Sequence, residues 1–188
     1  MNVDNPNDVV RGVWVVGRRE PAYPGVLAER LGTEAPAQLT RIGNPALLGL
    51  PKTALFCSAR CPGDAILAAL DQAARWRDDG RCVISGFQAP LEKECLRILL
   101  RGKQPVIACP ARGLGATSRL LPEWKQPLAE GRLLLVSGFG SAERRVTKAL
   151  AWQRNLLVAA LADQVYFAHI EPCGQLAALR ERIRRWPG

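Results

Sequence analysis

Five short apolar runs recur along the chain, and longer stretches with helical spacing of apolar residues separate them. The runs lack the alternation of apolar and polar positions that marks a strand with one face in water. We therefore expect strands covered on both faces, as in a parallel sheet between two layers of helices. The five predicted strands are residues 53–57, 82–84, 105–109, 133–136 and 165–168.

Amphipathic segments follow each of these runs. The first places Ile66, Leu67 and Leu70 along one side, and Pro90 suits the first turn of the second. This alternation predicts an α/β protein with a Rossmann-like open, mostly parallel sheet and helices on both faces. The predicted helices are residues 64–79, 90–101, 122–130, 144–161 and 175–185.

The N-terminal region is interrupted by turn-forming glycine and proline residues and shows less periodicity. We predict a short strand at 13–16 and a short helix at 26–31 within an otherwise irregular extension that packs on the core. The expected organisation is thus an N-terminal extension, residues 1–52, and a Rossmann-like domain, residues 53–188.

The composition, 188 residues with 48% hydrophobic and 23% charged positions, is that of a globular protein with one core. No apolar run is long enough to span a membrane. The N-terminal residues include acidic side chains and lack the apolar stretch of a secretory signal. We expect a cytoplasmic protein without a membrane partner.

The net charge narrows the class of partner. A formal charge of +9 and an isoelectric point near 9.8 favour binding to polyanions, either nucleic acid or acidic lipid. A basic surface that serves only solubility is the alternative, and charge alone does not decide between them.

The cysteines indicate a reducing compartment rather than a disulfide framework. Several lie inside apolar runs, so free buried thiols are expected. Two of them resemble half of a metal site, but no second pair of ligands accompanies them and His169 is the only histidine, so we predict no metal. The six are Cys57, Cys61, Cys82, Cys95, Cys109 and Cys173.

Small residues follow four of the predicted strands. Because ligands of open α/β sheets bind beyond the carboxyl ends of the strands, these loops are the candidate site. Small residues let backbone amides approach phosphate oxygens, and helix N-termini favour anions. The candidates in these loops are Ser58, Ser85, Gly86, Ser137, Gly138 and Gly174. Phe87 and Phe139 each follow a Ser-Gly pair, where they serve either base stacking or core packing.

Several cations accompany the loops. Arg60 directly follows a strand, and Arg144, Arg145 and Lys148 lie where the fourth loop enters its helix. Each is interpreted either as a phosphate contact or as a solvated surface charge.

Arg154 and Asn155 interrupt an apolar helical stretch. A buried arginine must meet a carboxylate, backbone carbonyls or a ligand phosphate. A structural hydrogen bond and a ligand contact therefore both remain open.

Known catalytic and cofactor motifs are missing from the sequence. No G-x-G-x-x-G follows the first strand and no P-loop occurs, which argues against a dinucleotide oxidoreductase or a P-loop nucleotidase. With one histidine, no Ser-His-Asp arrangement is convincing. We predict no cofactor, and a binding protein is favoured over an enzyme.

Several of these residues resemble motifs of the DNA-processing protein A (DprA/Smf) family. Ser58-Ala59-Arg60 is similar to its G-S-R, and Ser85-Gly86-Phe87 stands where the family has S-G-x-A-x-G-I-D. Arg154-Asn155 and the following apolar helix resemble R-N-R-I-I-A-G-L-S. Glu171 and Gly174 fall where E-A…S-G is expected. The resemblance covers roughly residues 20–180.

The resemblance implies a Rossmann-like core that binds single-stranded DNA in a basic pocket, forms homodimers and helps to load a RecA-type recombinase. It suggests Arg60 and Arg154 as pocket residues, with Arg144, Arg145 and Lys148 as further candidates. The chain departs from the family at Ser58, where the family has glycine, and in the segment 88–92, which replaces the G-I-D part.

A second hypothesis comes from the wider superfamily. It includes nucleotide-binding sensors and the lysine-decarboxylase-like (LOG) phosphoribohydrolases, which carry P-G-G-x-G-T-x-x-E. Here Pro172-Cys173-Gly174 lacks the second glycine and the threonine, although Glu92 or Glu171 could still act as a carboxylate. A sensor or processing enzyme for a free nucleotide is therefore the alternative function.

Overall fold

The computed structural model describes residues 12–115, 120–143 and 145–186. In this part the chain forms one seven-stranded sheet flanked by six α-helices. The strands are β1 (Trp14–Gly17), β2 (Gln38–Gly43), β3 (Lys52–Cys57), β4 (Cys82–Ser85), β5 (Val106–Ala108), β6 (Leu133–Ser137) and β7 (Gln164–His169). The helices are α1 (Gly25–Leu31), α2 (Gly63–Asp78), α3 (Pro90–Leu100), α4 (Pro122–Ala129), α5 (Lys148–Leu161) and α6 (Gln175–Ile183).

The sheet order is β1-β2-β6-β5-β4-β3-β7. The five strands from β6 to β7 are parallel, whereas β2 is antiparallel to β6 and β1 to β2. The mostly parallel Rossmann-like sheet predicted from the apolar runs is therefore confirmed.

The two faces of the sheet bury separate cores. Residues such as Phe56, Ile84 and Val136 point to the face covered by α1, α5 and α6. Their strand neighbours, such as Leu55 and Val83, point to the face covered by α2, α3 and α4. Both faces are thus covered, as the absence of polar alternation predicts.

Helix α5 begins four residues later than predicted. The extended Thr147 (φ −120°, ψ 166°) precedes it, and its hydroxyl accepts a hydrogen bond from the Leu150 amide at 3.1 Å. This N-cap sets the helix start. Arg144, one of the candidate phosphate ligands, lies outside the described residues.

The N-terminal region is more regular than expected. It supplies the predicted strand and helix, β1 and α1, and also β2, which extends the sheet beyond β6. We did not predict this strand because Gln38–Gly43 contains polar residues beside only two large apolar ones and so lacks the apolar run that marks the other strands. Its last residue has φ +104°, and a Cβ there would lie 2.3 Å from the Leu133 carbonyl oxygen, so the strand ends on a glycine. The domain boundary after residue 52 stays a prediction.

No helix in the described ranges is long and apolar enough to cross a membrane. Among the same residues, no group of three or more potential ligands could hold a metal ion. The six cysteines are free thiols, and four of them are buried.

Candidate functional site at the sheet switch point

The strand order reverses direction between β3 and β7. The connections from β3 through β4 and β5 to β6 proceed one way along the sheet, and α5 then carries the chain back to the other side of β3. The loops that follow β3 and β7 therefore turn towards opposite faces. This reversal opens a crevice at the carboxyl ends of the strands, where ligands of open α/β sheets bind.

A cleft of about 540 Å³ occupies this position, and we call it the switch-point cleft. Its lining comes from the loops after β3, β4 and β7, from the first turns of α3 and α6, and from the first eight residues of α5. The polar and small residues among its lining are Ser58, Gln88, Glu92, Lys148, Arg154, Asn155, Glu171, Gly174 and Gln175.

Arg154 forms the floor of the cleft and is only 5% exposed. Its Nε donates to Asn155 Oδ1 at 2.8 Å, its Nη1 to the Cys109 carbonyl at 3.3 Å and its Nη2 to Gln88 Oε1 at 3.2 Å. Burial lowers the pKa of Arg154, and the electrostatic interaction with Glu92 opposes that shift. The structural interpretation of this buried arginine is thus confirmed, and the same guanidinium also borders the cleft.

Gly86 makes room for this guanidinium. A Cβ at this position would lie 1.5 Å from Arg154 Nη1, closer than any packing allows. The glycine that follows β4 therefore serves the approach of a buried arginine, and no side chain can replace its hydrogen without moving Arg154.

The sequence named Glu92 only as a carboxylate for the alternative nucleotide-processing function, whereas the structure makes it a structural residue of the cleft. Its buried carboxylate accepts hydrogen bonds from the amides of Cys57 (3.0 Å), Gln88 (2.9 Å) and Ala89 (3.2 Å). It joins the end of β3 to the loop after β4. Burial raises the pKa of Glu92, whereas Arg154 and the three amides lower it. The signal was a glutamate at the third position of a helix that begins with proline, where a carboxylate reaches back to free amides.

Three helix N-termini converge on the cleft. The first residues of α3, α5 and α6, Pro90, Lys148 and Gln175, all line it. Gln175 Nε2 donates to the Lys148 carbonyl at 3.2 Å, which joins the starts of α5 and α6. Because each helix carries partial positive charge at its N-terminus, the cleft favours an anion.

Ser58 holds the two diverging loops together. Its hydroxyl accepts from the Glu171 amide at 2.8 Å, and its own amide donates to the His169 carbonyl at 3.0 Å. Gly174 caps α6 and its amide donates to the Glu171 carbonyl at 3.0 Å. Both predicted residues lie in the cleft, and Glu171 adds an exposed carboxylate to its rim.

Ser85 and Ser137 are fully buried, so the structure does not bring them to the surface of the cleft. Their hydroxyls accept from the amides of Phe87 (3.2 Å) and Phe139 (3.1 Å), two residues further on. Both aromatic rings pack in buried positions. In this conformation the two Ser-Gly-Phe turns serve the fold.

Gly138 packs beneath the N-terminal region. A Cβ there would lie 2.6 Å from Pro36 Cγ, so this glycine permits close contact with the segment between α1 and β2. Its backbone stands beside a smaller apolar cavity and not in the switch-point cleft.

Arg60 and Arg145 are exposed and lie outside the lining of the cleft. Arg60 belongs to the loop after β3, directly beyond Ala59, which does line it. Within the described ranges, neither arginine forms a salt bridge. Their predicted phosphate contacts, like that of Arg144, stay predictions.

The cysteines near the cleft are poor nucleophiles. Burial raises the pKa of Cys57, Cys95 and Cys109 to about 12. Thiols of such high pKa are almost entirely protonated near neutral pH, so thiolate chemistry finds no support in these three residues.

The family model for DNA recombination-mediator protein A matches residues 14–171, which include every element from β1 to β7. The chain belongs to this family. The resemblance seen in the sequence motifs is thereby confirmed.

Two solved structures of this family share the fold. DprA from Streptococcus pneumoniae superposes with a TM-score of 0.72 at 21% identity, over 95% of this chain and 62% of that protein. DprA from Helicobacter pylori, which binds single-stranded DNA, gives a TM-score of 0.69 at 18% identity, over 94% of this chain and 80% of that protein. The chain thus spans less than two thirds of the streptococcal protein. No curated protein sequence matches it significantly.

Proposed function

We propose that this DprA-family protein binds single-stranded DNA and holds its phosphates in the switch-point cleft. The observation that carries the proposal is the convergence of three helix N-termini with Arg154 and Lys148 on one crevice. Backbone amides and a guanidinium that are fixed in place bind phosphate without a large ordering cost.

The cations beside the cleft extend this site along a strand. Lys148 is exposed on the rim, and Arg60 and Arg145 are exposed in adjoining loops. Such residues position a nucleic-acid backbone without reading its bases. The single-stranded DNA bound by the Helicobacter pylori relative, together with the charge of +9, supports the same ligand class.

A free nucleotide is the second candidate ligand, and one observation favours it. The cleft is lined by two carboxylates, Glu92 and Glu171, as well as by two cations, Lys148 and Arg154. A mononucleotide needs few phosphate contacts, and an exposed carboxylate such as Glu171 can accept hydrogen bonds from hydroxyl or amino groups.

Salt titration separates the two ligands. Affinity for oligothymidylate should fall with salt at a slope of about −0.7 per phosphate contacted, and affinity for thymidine monophosphate should change much less. Lys148→Ala should lower the oligonucleotide slope by roughly that amount. Arg19→Ala, at an exposed arginine remote from the cleft, serves as the control. Tight mononucleotide binding without oligonucleotide affinity would refute the DNA proposal in favour of the nucleotide one.

Further partners follow from the family resemblance as predictions. A RecA-type recombinase and a second copy of the chain are the expected protein partners, and the cytoplasm is the expected location. The ability of the purified protein to accelerate recombinase assembly on oligonucleotides, together with its mass in solution, tests the first two.

A further inference from the structure

A second cleft lies at the opposite edge of the sheet, where the parallel strands begin. It measures about 600 Å³ and opens between the C-terminal ends of α2 and α3. We call it the amino-edge cleft; its lining includes Arg77, Gly80, Arg101, Gly102, Lys103 and Gln104.

The amino-edge cleft carries an excess of positive charge. Three cations line it, against one carboxylate, that of Asp78. Arg77 pairs with Asp78 at 2.8 and 3.2 Å, whereas Arg101 and Lys103 are exposed and form no salt bridge within the described ranges. The switch-point cleft, by contrast, holds two cations and two carboxylates. Of these two clefts, the amino-edge cleft therefore has the larger excess of positive charge.

The floor of the amino-edge cleft is tightly built. A Cβ at Gly102 would lie 2.2 Å from Gln104 Oε1 and 2.4 Å from Arg77 Cγ, so this glycine lets both side chains close on the backbone. Gln104 is 2% exposed and its Nε2 donates to the Leu99 carbonyl in the last turn of α3. Arg101 and Lys103 thus flank a glycine against which the Arg77 and Gln104 side chains pack closely.

Basic residues continue from this cleft along the edge of the sheet. Arg81 directly precedes β4 and Lys103 stands shortly before β5. Arg132 directly precedes β6, but it is paired with Glu130 and donates to the Leu100 carbonyl at 3.1 Å, so it adds less free charge than the other two. Because β4, β5 and β6 are neighbours, these positions lie near the starts of adjacent strands, which run about 4.8 Å apart. A row of cations fits a chain of phosphates better than it fits a single small anion.

We propose that the amino-edge cleft is a second nucleic-acid-binding surface, which contacts the phosphate backbone through Arg101 and Lys103. It lies a full strand length from the switch-point cleft, so one chain can hold two strands at once. The simultaneous binding of two strands rests on the proposed function. The proposal of a second surface rests only on the charges and shape of the amino-edge cleft. Cations at helix C-termini also stabilise the helix through its dipole. The experiment must therefore distinguish a loss of stability from a loss of binding.

The test counts short oligothymidylates per protein chain by native mass spectrometry at low salt, so that the count does not depend on oligomeric state. Arg101→Ser/Lys103→Ser is compared with the full-length wild type and with Arg19→Ser/Lys125→Ser, which removes the same charge from exposed residues elsewhere. Wild type and control should bind two oligonucleotides per chain and the amino-edge variant one. The salt slope summed over both sites should fall by about 1.4, at about 0.7 per lost phosphate contact.

A variant of the first site distinguishes the two proposals. Arg60→Ala/Lys148→Ala should lose the other oligonucleotide and keep the one at the amino edge. If the amino-edge variant matches wild type in both stoichiometry and salt slope, the second surface is refuted and the first site stands. If only the amino-edge variant loses binding, the proposed function fails and the second surface stands. If Arg101→Ser/Lys103→Ser does not fold, Lys103→Ser alone tests the second surface. It should lower the salt slope by about 0.7.

Discussion

The sequence predicts the same role for Arg154 and Arg60, but these two arginines lie in different surroundings. Arg154 is buried at the floor of the switch-point cleft, where Asn155, Gln88 and the Cys109 carbonyl accept its hydrogen bonds. Arg60 extends from the loop after β3, is exposed, and forms no salt bridge with the described residues. One cation belongs to the fold as well as to the site, and the other belongs to the surface.

This difference separates the residues that fix the shape of the cleft from those that set its affinity for a ligand. Buried polar groups must be satisfied, so the floor formed by Arg154, Glu92 and Gly86 fixes where the loops around the cleft stand. Exposed cations can add phosphate contacts, and they can be substituted without changing the fold. Substitutions on the floor should therefore change stability, and substitutions beside the rim should change binding.

The largest effect is expected from Arg154→Met. Methionine fills part of the volume but leaves the Glu92 carboxylate without its nearby positive charge and three acceptors without their donors. Removing one partner of a buried charge network costs about 3–5 kcal/mol of unfolding free energy. Urea denaturation followed by circular dichroism measures this loss.

Gln153→Met, one position earlier on the exposed side of α5, is the matched control. It should change the free energy of unfolding by no more than about 0.5 kcal/mol. An Arg154→Met protein that is as stable as this control would show that the floor does not depend on the arginine.

The strands and helices of the core were predictable because their signals are local and repeated. Apolar runs located β3 to β7 within one or two residues, and the family motif located Arg154. The contacts of Ser85 and Ser137 were not predictable, since a small residue after a strand serves a phosphate or a turn equally well. For Glu92, its place as the third residue of α3 indicates the contacts with the Gln88 and Ala89 amides, but no sequence pattern records the contact with the Cys57 amide at the end of another strand.

An intermediate effect, on binding alone, is expected at Arg60. Arg60→Ala should leave the free energy of unfolding within about 0.5 kcal/mol, because the side chain is exposed. Affinity for oligothymidylate should weaken by about 1.5–3 kcal/mol, the contribution of a charge-assisted hydrogen bond. Fluorescence anisotropy on the folded variant measures the loss.

Arg60→Lys sharpens this prediction. Lysine keeps the charge but not the planar fork that binds phosphate with two hydrogen bonds, so it should recover only part of the affinity. Wild-type binding by Arg60→Ala, or a melted protein, would make Arg60 an incidental or a structural residue and would remove the contrast with Arg154.

The smallest effect is a pH dependence of the free energy of unfolding that arises from Glu92, beside Arg154 at the floor of the cleft. Burial raises the pKa of Glu92 above its ordinary value of 4.5 in the folded protein. A carboxyl group with a raised folded pKa contributes stability that is fully present below about pH 4.5 and is lost as the pH rises through the folded value. Glutamine does not titrate, so Glu92→Gln removes this dependence.

The unfolding free energy of Glu92→Gln minus that of wild type should therefore increase with pH. The expected slope is at most about 1.4 kcal/mol per pH unit, beginning near pH 4.5 and flattening above the folded pKa. Replacing one carboxylate oxygen by an amide group shifts the whole curve, because Cys57, Gln88 and Ala89 all donate to this side chain, but a constant offset leaves the slope intact. Urea denaturation at a series of pH values, with the exposed Glu94→Gln as control, measures it. A flat difference would contradict the prediction and would mean that Arg154 and the three amides fully offset the effect of burial on the pKa of Glu92.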